Sequence, residues 1–183
     1  MWLENVTLTN LFCYHEEVTF DFGVPVRTGG PRNIAIVWGR NGYGKTSFLT
    51  GMKLLVGGTY EKLRASVFRG RTLSIPQYLL GLNDEWTGIV NTVAWRKART
   101  DVRVAIGATW HGPKNGRIRV EREWQISKKT QEYQEKLTIT DVDGRIWEGE
   151  DATNYLNTIF PVDYIDFVMY DGEQIQELAD SSE

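Results

Sequence analysis

The chain has 183 residues, 41% of them hydrophobic and 25% charged, with a formal net charge of -3. Such a composition describes an ordinary globular protein, long enough to bury a sizeable core and short enough for a single domain over residues 1–183. Cys13 is the only cysteine, which excludes a disulfide framework or a cysteine-rich zinc site, and no apolar run approaches the roughly 20 residues of a membrane helix, so a cytoplasmic protein is expected.

Taken in order, Leu3 to Leu11 mixes β-branched residues with alternating polarity and reads as a strand. Val18, Phe20 and Phe22 alternate with Thr19 and Asp21, which predicts a second strand reached across Tyr14-His15-Glu16-Glu17. Gly23 to Arg32, with two prolines and Gly29-Gly30, reads as a loop. The apolar run Ile34 to Trp38 reads as a buried strand, and Ser47 to Leu55 as a helix stopped by Gly57-Gly58. Tyr60 to Phe68 is weakly helical. Ser74 caps a short helix with Pro76 in its first turn.

The middle of the chain reads as antiparallel β-structure. Val90 to Trp95 is expected as one strand, and Val102, Val104, Ile106, Ala108 and Trp110 place an apolar face on every second residue of the next. Gly112 to Gly116 turns the chain. Ile118, Val120, Trp124 and Ile126 repeat the alternation on the return, with Arg117, Arg119, Glu121 and Glu123 outward. Leu137–Thr140 and Arg145–Trp147 flank Asp143-Gly144 as a hairpin. The tryptophans 86, 95, 110, 124 and 147 on these strands are expected in the core. Glu150 or Asp151 is expected to cap a helix with Tyr155, Leu156, Ile159 and Phe160 on its apolar side, ended by Pro161. Tyr164 to Tyr170 then reads as a buried strand leading to Asp171-Gly172-Glu173-Gln174.

Between the predicted strand and helix lies Gly39-Arg40-Asn41-Gly42-Tyr43-Gly44-Lys45-Thr46, which fits the phosphate-binding pattern G-x-x-x-x-G-K-[ST]. Glycines let the backbone N–H groups wrap a polyphosphate closely, and the following helix turns its unpaired N–H groups and positive dipole end to the anion. Gly39 to Ser47 are therefore the candidate nucleotide contacts. Lys45 is expected to reach the β- and γ-phosphates of ATP, and Thr46 to offer its hydroxyl to Mg²⁺.

Charge is unevenly spread. Residues 95–129 carry ten basic against three acidic side chains, and residues 143–183 carry eleven acids against Arg145 alone. The basic middle suits either nucleic-acid phosphates or a solvated sheet face.

Together these segments resemble the N-terminal half of an SMC-type ABC ATPase head, the family of SMC proteins, SbcC, RecN and RecF. The resemblance rests on the opening Leu8-Thr9-Asn10-Leu11-Phe12, on the G-x-N-G-x-G-K-[ST] form of the phosphate loop, and on Phe167 to Ile175. The lead-in Pro161-Val162-Asp163 and the Asp171-Gly172-Glu173-Gln174-Ile175 core look most like DndD, the SMC-like ATPase of DNA phosphorothioation systems. The resemblance implies an α/β P-loop fold, with an antiparallel β layer beside the P-loop sheet and helix. It implies ATP and Mg²⁺ as cofactors. Asp171 falls where relatives hold a Q-loop glutamine and is expected at the metal, with Gln174 three residues on. Relatives often carry a nucleotide-binding basic residue where this chain has Phe12 and Cys13, so no role carries over there.

Such heads also need a Walker B Asp-Glu pair and a signature motif, and the sequence shows neither. The expectation is a head lobe cut before a coiled coil. Its partners would be a C-terminal lobe of the same or another chain, a second head joined on ATP binding, DNA, and DNA-modification or defence proteins. SbcC-like repair and a non-catalytic nucleotide-gated module are the alternatives. Phe167 to Asp171 also matches a Walker B run, which would instead make the chain a self-contained ATPase.

Overall fold

The computed structural model describes residues 2–23, 36–111 and 116–169. Its frame is one six-stranded antiparallel sheet. The strands are β1 (Trp2–Leu11), β2 (Tyr14–Asp21), β3 (Asp101–His111), β4 (Arg117–Ser127), β5 (Tyr133–Thr140) and β6 (Ile146–Glu148), in the order β2-β1-β3-β4-β5-β6. The register pairs Leu8 with Ile106, Ile106 with Arg122, and Arg122 with Leu137. Because side chains alternate between faces, this register gathers Val6, Leu8, Val104, Ile106, Val120, Trp124, Leu137 and Ile139 on one face, each at most 5% exposed.

One helix covers the middle of that face. Helix α1 (Lys45–Gly57) starts beside β2, where Phe48 meets the Phe20 ring edge-on at 4.9 Å, and crosses β3 to β4. Gly51 lets it sit close, since a Cβ there would lie 2.9 Å from Leu8 and 3.0 Å from Ile106. Its own Leu54 and Leu55 are fully buried. The helix ends as expected, with the Gly58 N–H donating to the Leu54 carbonyl at 2.8 Å.

The remaining helices are short: α2 (Glu61–Ala65), α3 (Ile75–Leu80), α4 (Thr92–Lys97), α5 (Gly149–Ile159) and α6 (Ile165–Val168), with a 3-10 turn at Val162–Tyr164. Ser74 caps α3 in a full capping box with Gln77. No helix among the described residues is long and apolar enough to cross a membrane.

Five expectations need correction. Val90 to Trp95 is not a strand: the Asn91 carboxamide accepts from the Val93 and Ala94 N–H groups at 3.0 and 3.1 Å and starts α4. Tyr164 to Met169 is not a buried strand either, because Pro161 opens a 3-10 turn that runs into α6. Within it Ile165 is buried at 3% exposure, while Tyr164 is 60% and Val168 66% exposed. A Walker B strand is thereby excluded over the described part of the run. Of the expected strand Ile34 to Trp38, Ile34 and Ala35 lie outside the described residues, and Ile36, Val37 and Trp38 belong to no strand and are 85%, 40% and 89% exposed. The sheet is therefore entirely antiparallel among the described residues, with no parallel P-loop sheet. The corner between β1 and β2 is tighter than expected, turning at Phe12-Cys13 so that Tyr14 already pairs with Leu11. Finally, α5 starts at Glu148 with no side-chain cap, and Glu150 and Asp151 lie in its first turn, where their charge favours the dipole. The turn at Gly112 to Asn115 lies outside the described residues.

Candidate functional site

The phosphate loop leads straight into α1. Gly44 stands at its N-cap with φ 88° and ψ 15°, a conformation closed to ordinary side chains. Its carbonyl accepts the Phe48 N–H at 2.8 Å, which closes the first helical turn. The N–H groups of the first turn have no intrahelical acceptor, and no acidic side chain lies there to compete for an anion. Gly42 is also left-handed, with φ 82° and open space around it. The turn is closed by the Tyr43 N–H donating to the Arg40 carbonyl at 3.3 Å.

Lys45 folds back over the loop. Its ammonium donates to the carbonyls of Gly39 at 2.8 Å and Arg40 at 3.0 Å, and the side chain stays exposed. Thr46 is exposed and Ser47 half-buried at the same helix end. Arg40, Asn41 and Tyr43 are exposed around the mouth. The structure thus brings Gly39 to Ser47 together at one helix N-terminus. Asp171 and Gln174 lie outside the described residues.

Two supports of this site escape a motif search. The first is Tyr14, whose hydroxyl donates to the Gly44 carbonyl at 2.9 Å; a Cβ on Gly44 would meet it at 2.9 Å and the Cys13 Sγ at 2.5 Å. The second holds the other end of α1. Arg122 sits on the apolar sheet face at 8% exposure and donates from Nε to the Leu55 carbonyl at 3.0 Å and from Nη2 to the Val56 carbonyl at 3.2 Å. Glu135 accepts from Arg122 Nη1 and, through its other oxygen, from the Trp124 indole at 3.0 Å. Burial pulls the Arg122 guanidinium below its ordinary pKa and the Glu135 carboxylate pushes it back up. A cation at the last carbonyls also complements the helix dipole. The signal for this pair was in the alternation: Arg122 falls between Val120 and Trp124, at an inward position.

The basic middle divides in two. On the outer sheet face Arg103 pairs with Glu121 and Glu123, Arg119 with Glu121, and Arg117 with Glu4. Those cations are matched within the sheet and contribute little net field. Around α4 and the start of β3, however, Arg96, Lys97, Arg99 and Lys129 are all exposed. Lys128 ties this end together, donating from its ammonium to the Ala98 carbonyl at 2.8 Å. Among the tryptophans, Trp110 and Trp124 are core residues at 7% and 0% exposure.

A family model described as an AAA domain matches residues 5–182. No curated protein matches the chain. With that match spanning almost the whole sequence and the phosphate loop set at the start of α1, the chain belongs to the AAA domain family, as an ATP-binding, SMC-like P-loop ATPase domain.

Proposed function

We propose that this chain is the ATP-binding N-terminal head lobe of an SMC-like ATPase that acts on DNA in phosphorothioate modification or phage defence. The observation that carries the nucleotide part is the start of α1: a left-handed Gly44, a helix end without acidic side chains, and the Lys45 ammonium resting on loop carbonyls. The backbone N–H groups of residues 42–46 would hold the phosphates, Lys45 would move to the β- and γ-oxygens, and Thr46 would ligate Mg²⁺. Bound ATP supplies the phosphoanhydride and Mg²⁺ neutralises its charge; the chain's own share is binding and orientation. Asp171 and Gln174 are proposed beside Thr46 on the Mg²⁺ side.

Hydrolysis is assigned to a C-terminal lobe, of the same or a partner chain, and to closure of two heads on ATP. Two observations support this. The sequence has no apolar run ending in Asp-Glu and no signature motif. Ile36, Val37 and Trp38 form an exposed apolar run directly before the loop, the kind of segment that another chain segment covers. The phosphorothioation assignment is supported by the Pro161-Val162-Asp163 lead-in and the Asp171-Gly172-Glu173-Gln174-Ile175 segment of the sequence.

Titration of the purified chain with ATP tests the nucleotide reading. Lys45→Ala is expected to weaken binding by at least about tenfold, the loss of one charge-assisted contact, and both proteins should turn ATP over negligibly. Robust turnover that disappears in Lys45→Ala would overturn the two-lobe reading.

DNA contact is proposed at the Arg96–Arg99 end rather than on the paired outer face. Arg96→Glu with Arg99→Glu should reduce the slope of log affinity against log salt by about two, whereas Arg117→Glu with Arg119→Glu should leave it near that of the native protein. Equal effects of the two pairs would remove the distinction.

A further inference from the structure

The corner between β1 and β2 is built at a conformational cost that the hairpin alone does not require. Asn10, Phe12 and Glu16 have φ values of 51°, 50° and 61°, three of the five non-glycine residues with positive φ among the described residues. Such outliers persist only where their surroundings over-determine them, and they gather at functional sites. Here the restraints are explicit. The Phe12 N–H donates to the Ile89 carbonyl at 2.6 Å, and the Asn91 carboxamide donates to the Phe12 carbonyl at 2.7 Å. The Asn91 N–H donates to the Asn10 carbonyl at 2.8 Å, and the Asn10 carboxamide accepts the Glu16 N–H at 2.9 Å.

This braced corner presents Tyr14 to the end of the phosphate loop. The ring packs edge-on against Phe20 at 5.7 Å, which fixes its direction. Packing accounts for the ring and leaves the hydroxyl to be explained. That hydroxyl donates to the Gly44 carbonyl, which also accepts from the Phe48 N–H. Burial, with a smaller contribution from Cys13, pushes the phenol up to about 12, so it remains a donor at neutral pH. A peptide group is planar and trans, so the Gly44 carbonyl and the Lys45 N–H point in opposite directions. Holding the carbonyl toward the helix body aims the Lys45 N–H out of the helix end.

We propose that Tyr14 is a positioning residue for polyphosphate binding: its hydroxyl fixes the Gly44–Lys45 peptide plane so that the Lys45 N–H faces the anion. The role rests on the nucleotide reading above. The corner contributes orientation of the loop.

Tyr14→Phe keeps the ring and removes the hydroxyl. Two measurements on the 183-residue chain decide the matter. In amide hydrogen exchange without nucleotide, Tyr14→Phe is expected to speed exchange several-fold over residues 39–48 and to leave β3 and β4 unchanged. In calorimetric titration it should weaken ATP and ADP by about five- to tenfold, the effect of one hydrogen bond, while AMP binds both proteins alike. Unchanged exchange over the loop overturns the proposal. So does faster exchange with native ATP affinity, which would make the bond structural only. If the native chain binds no ATP, the nucleotide reading falls and the positioning role with it, and the exchange result then describes a fold contact alone.

Discussion

Replacing Arg122 with alanine is expected to destabilise the domain by about 3 kcal/mol, at the lower end of what breaking a buried ion pair costs. The Arg122 side chain is 10% exposed, so water replaces little of what it loses, while Glu135, with its side chain 25% exposed, is partly solvated and keeps the cost at that lower end. Two groups are stranded, the carbonyls of Leu55 and Val56 at the end of α1, and the Glu135 carboxylate keeps the Trp124 indole but loses its counter-charge. Urea unfolding should show this as a lower midpoint at unchanged slope, and a thermal scan as a fall of roughly 8 °C for a domain of this size. Arg122→Leu combined with Glu135→Leu should cost clearly less than the sum of the two single changes, because the double variant leaves no uncompensated charge. It will not be neutral, since the Trp124 indole N–H loses its acceptor. Additive single costs would show that the two side chains act independently.

The Arg122 pair also shows how far a sequence reads. Alternation placed Val104, Ile106, Val120 and Trp124 on one face, and they are buried there. The same alternation places Arg122 among them, but its partner lies on β5 and its acceptors lie at the end of α1. Neither is computable from spacing, because they meet only through the β4–β5 register and the crossing of the helix. Short apolar runs failed for a different reason. Val90 to Trp95 and Tyr164 to Met169 carry no period long enough to separate strand from helix. Local chemistry decided them, through the Asn91 cap in one case and the Pro161 turn in the other. The phosphate loop was legible because its constraint is local: glycines at set offsets, then Lys45 and Thr46 at a helix start. What supports the loop was not. Tyr14 reaches Gly44 across a corner whose geometry depends on Asn91, 77 positions further on.

That local constraint yields the other large effect. Gly44→Ala is expected to abolish useful ATP binding, by roughly a hundredfold, and to cost about 2 kcal/mol of stability, whereas Gly42→Ala should cost only about 1 kcal/mol. Both glycines have similar left-handed backbones, at φ 88° and 82°. An alanine at either position bears the same kind of conformational penalty. They differ in surroundings. Around Gly42 nothing lies within 4 Å of the added Cβ, while at Gly44 it would stand 2.5 Å from the Cys13 Sγ and 2.9 Å from the Tyr14 hydroxyl. Neither neighbour can retreat freely, because the corner carrying them is bonded to Ile89 and Asn91. The strain would instead displace Gly44, rotating the peptide whose N–H opens α1 and moving the base of Lys45. Cys13→Ala in the Gly44→Ala background removes the nearer obstruction and should restore part of the stability and little of the affinity, because the backbone conformation remains wrong for a side chain. Melting curves and ATP titrations on the four proteins separate the terms. Equal behaviour of Gly42→Ala and Gly44→Ala would show that the β1–β2 corner does not confine the loop.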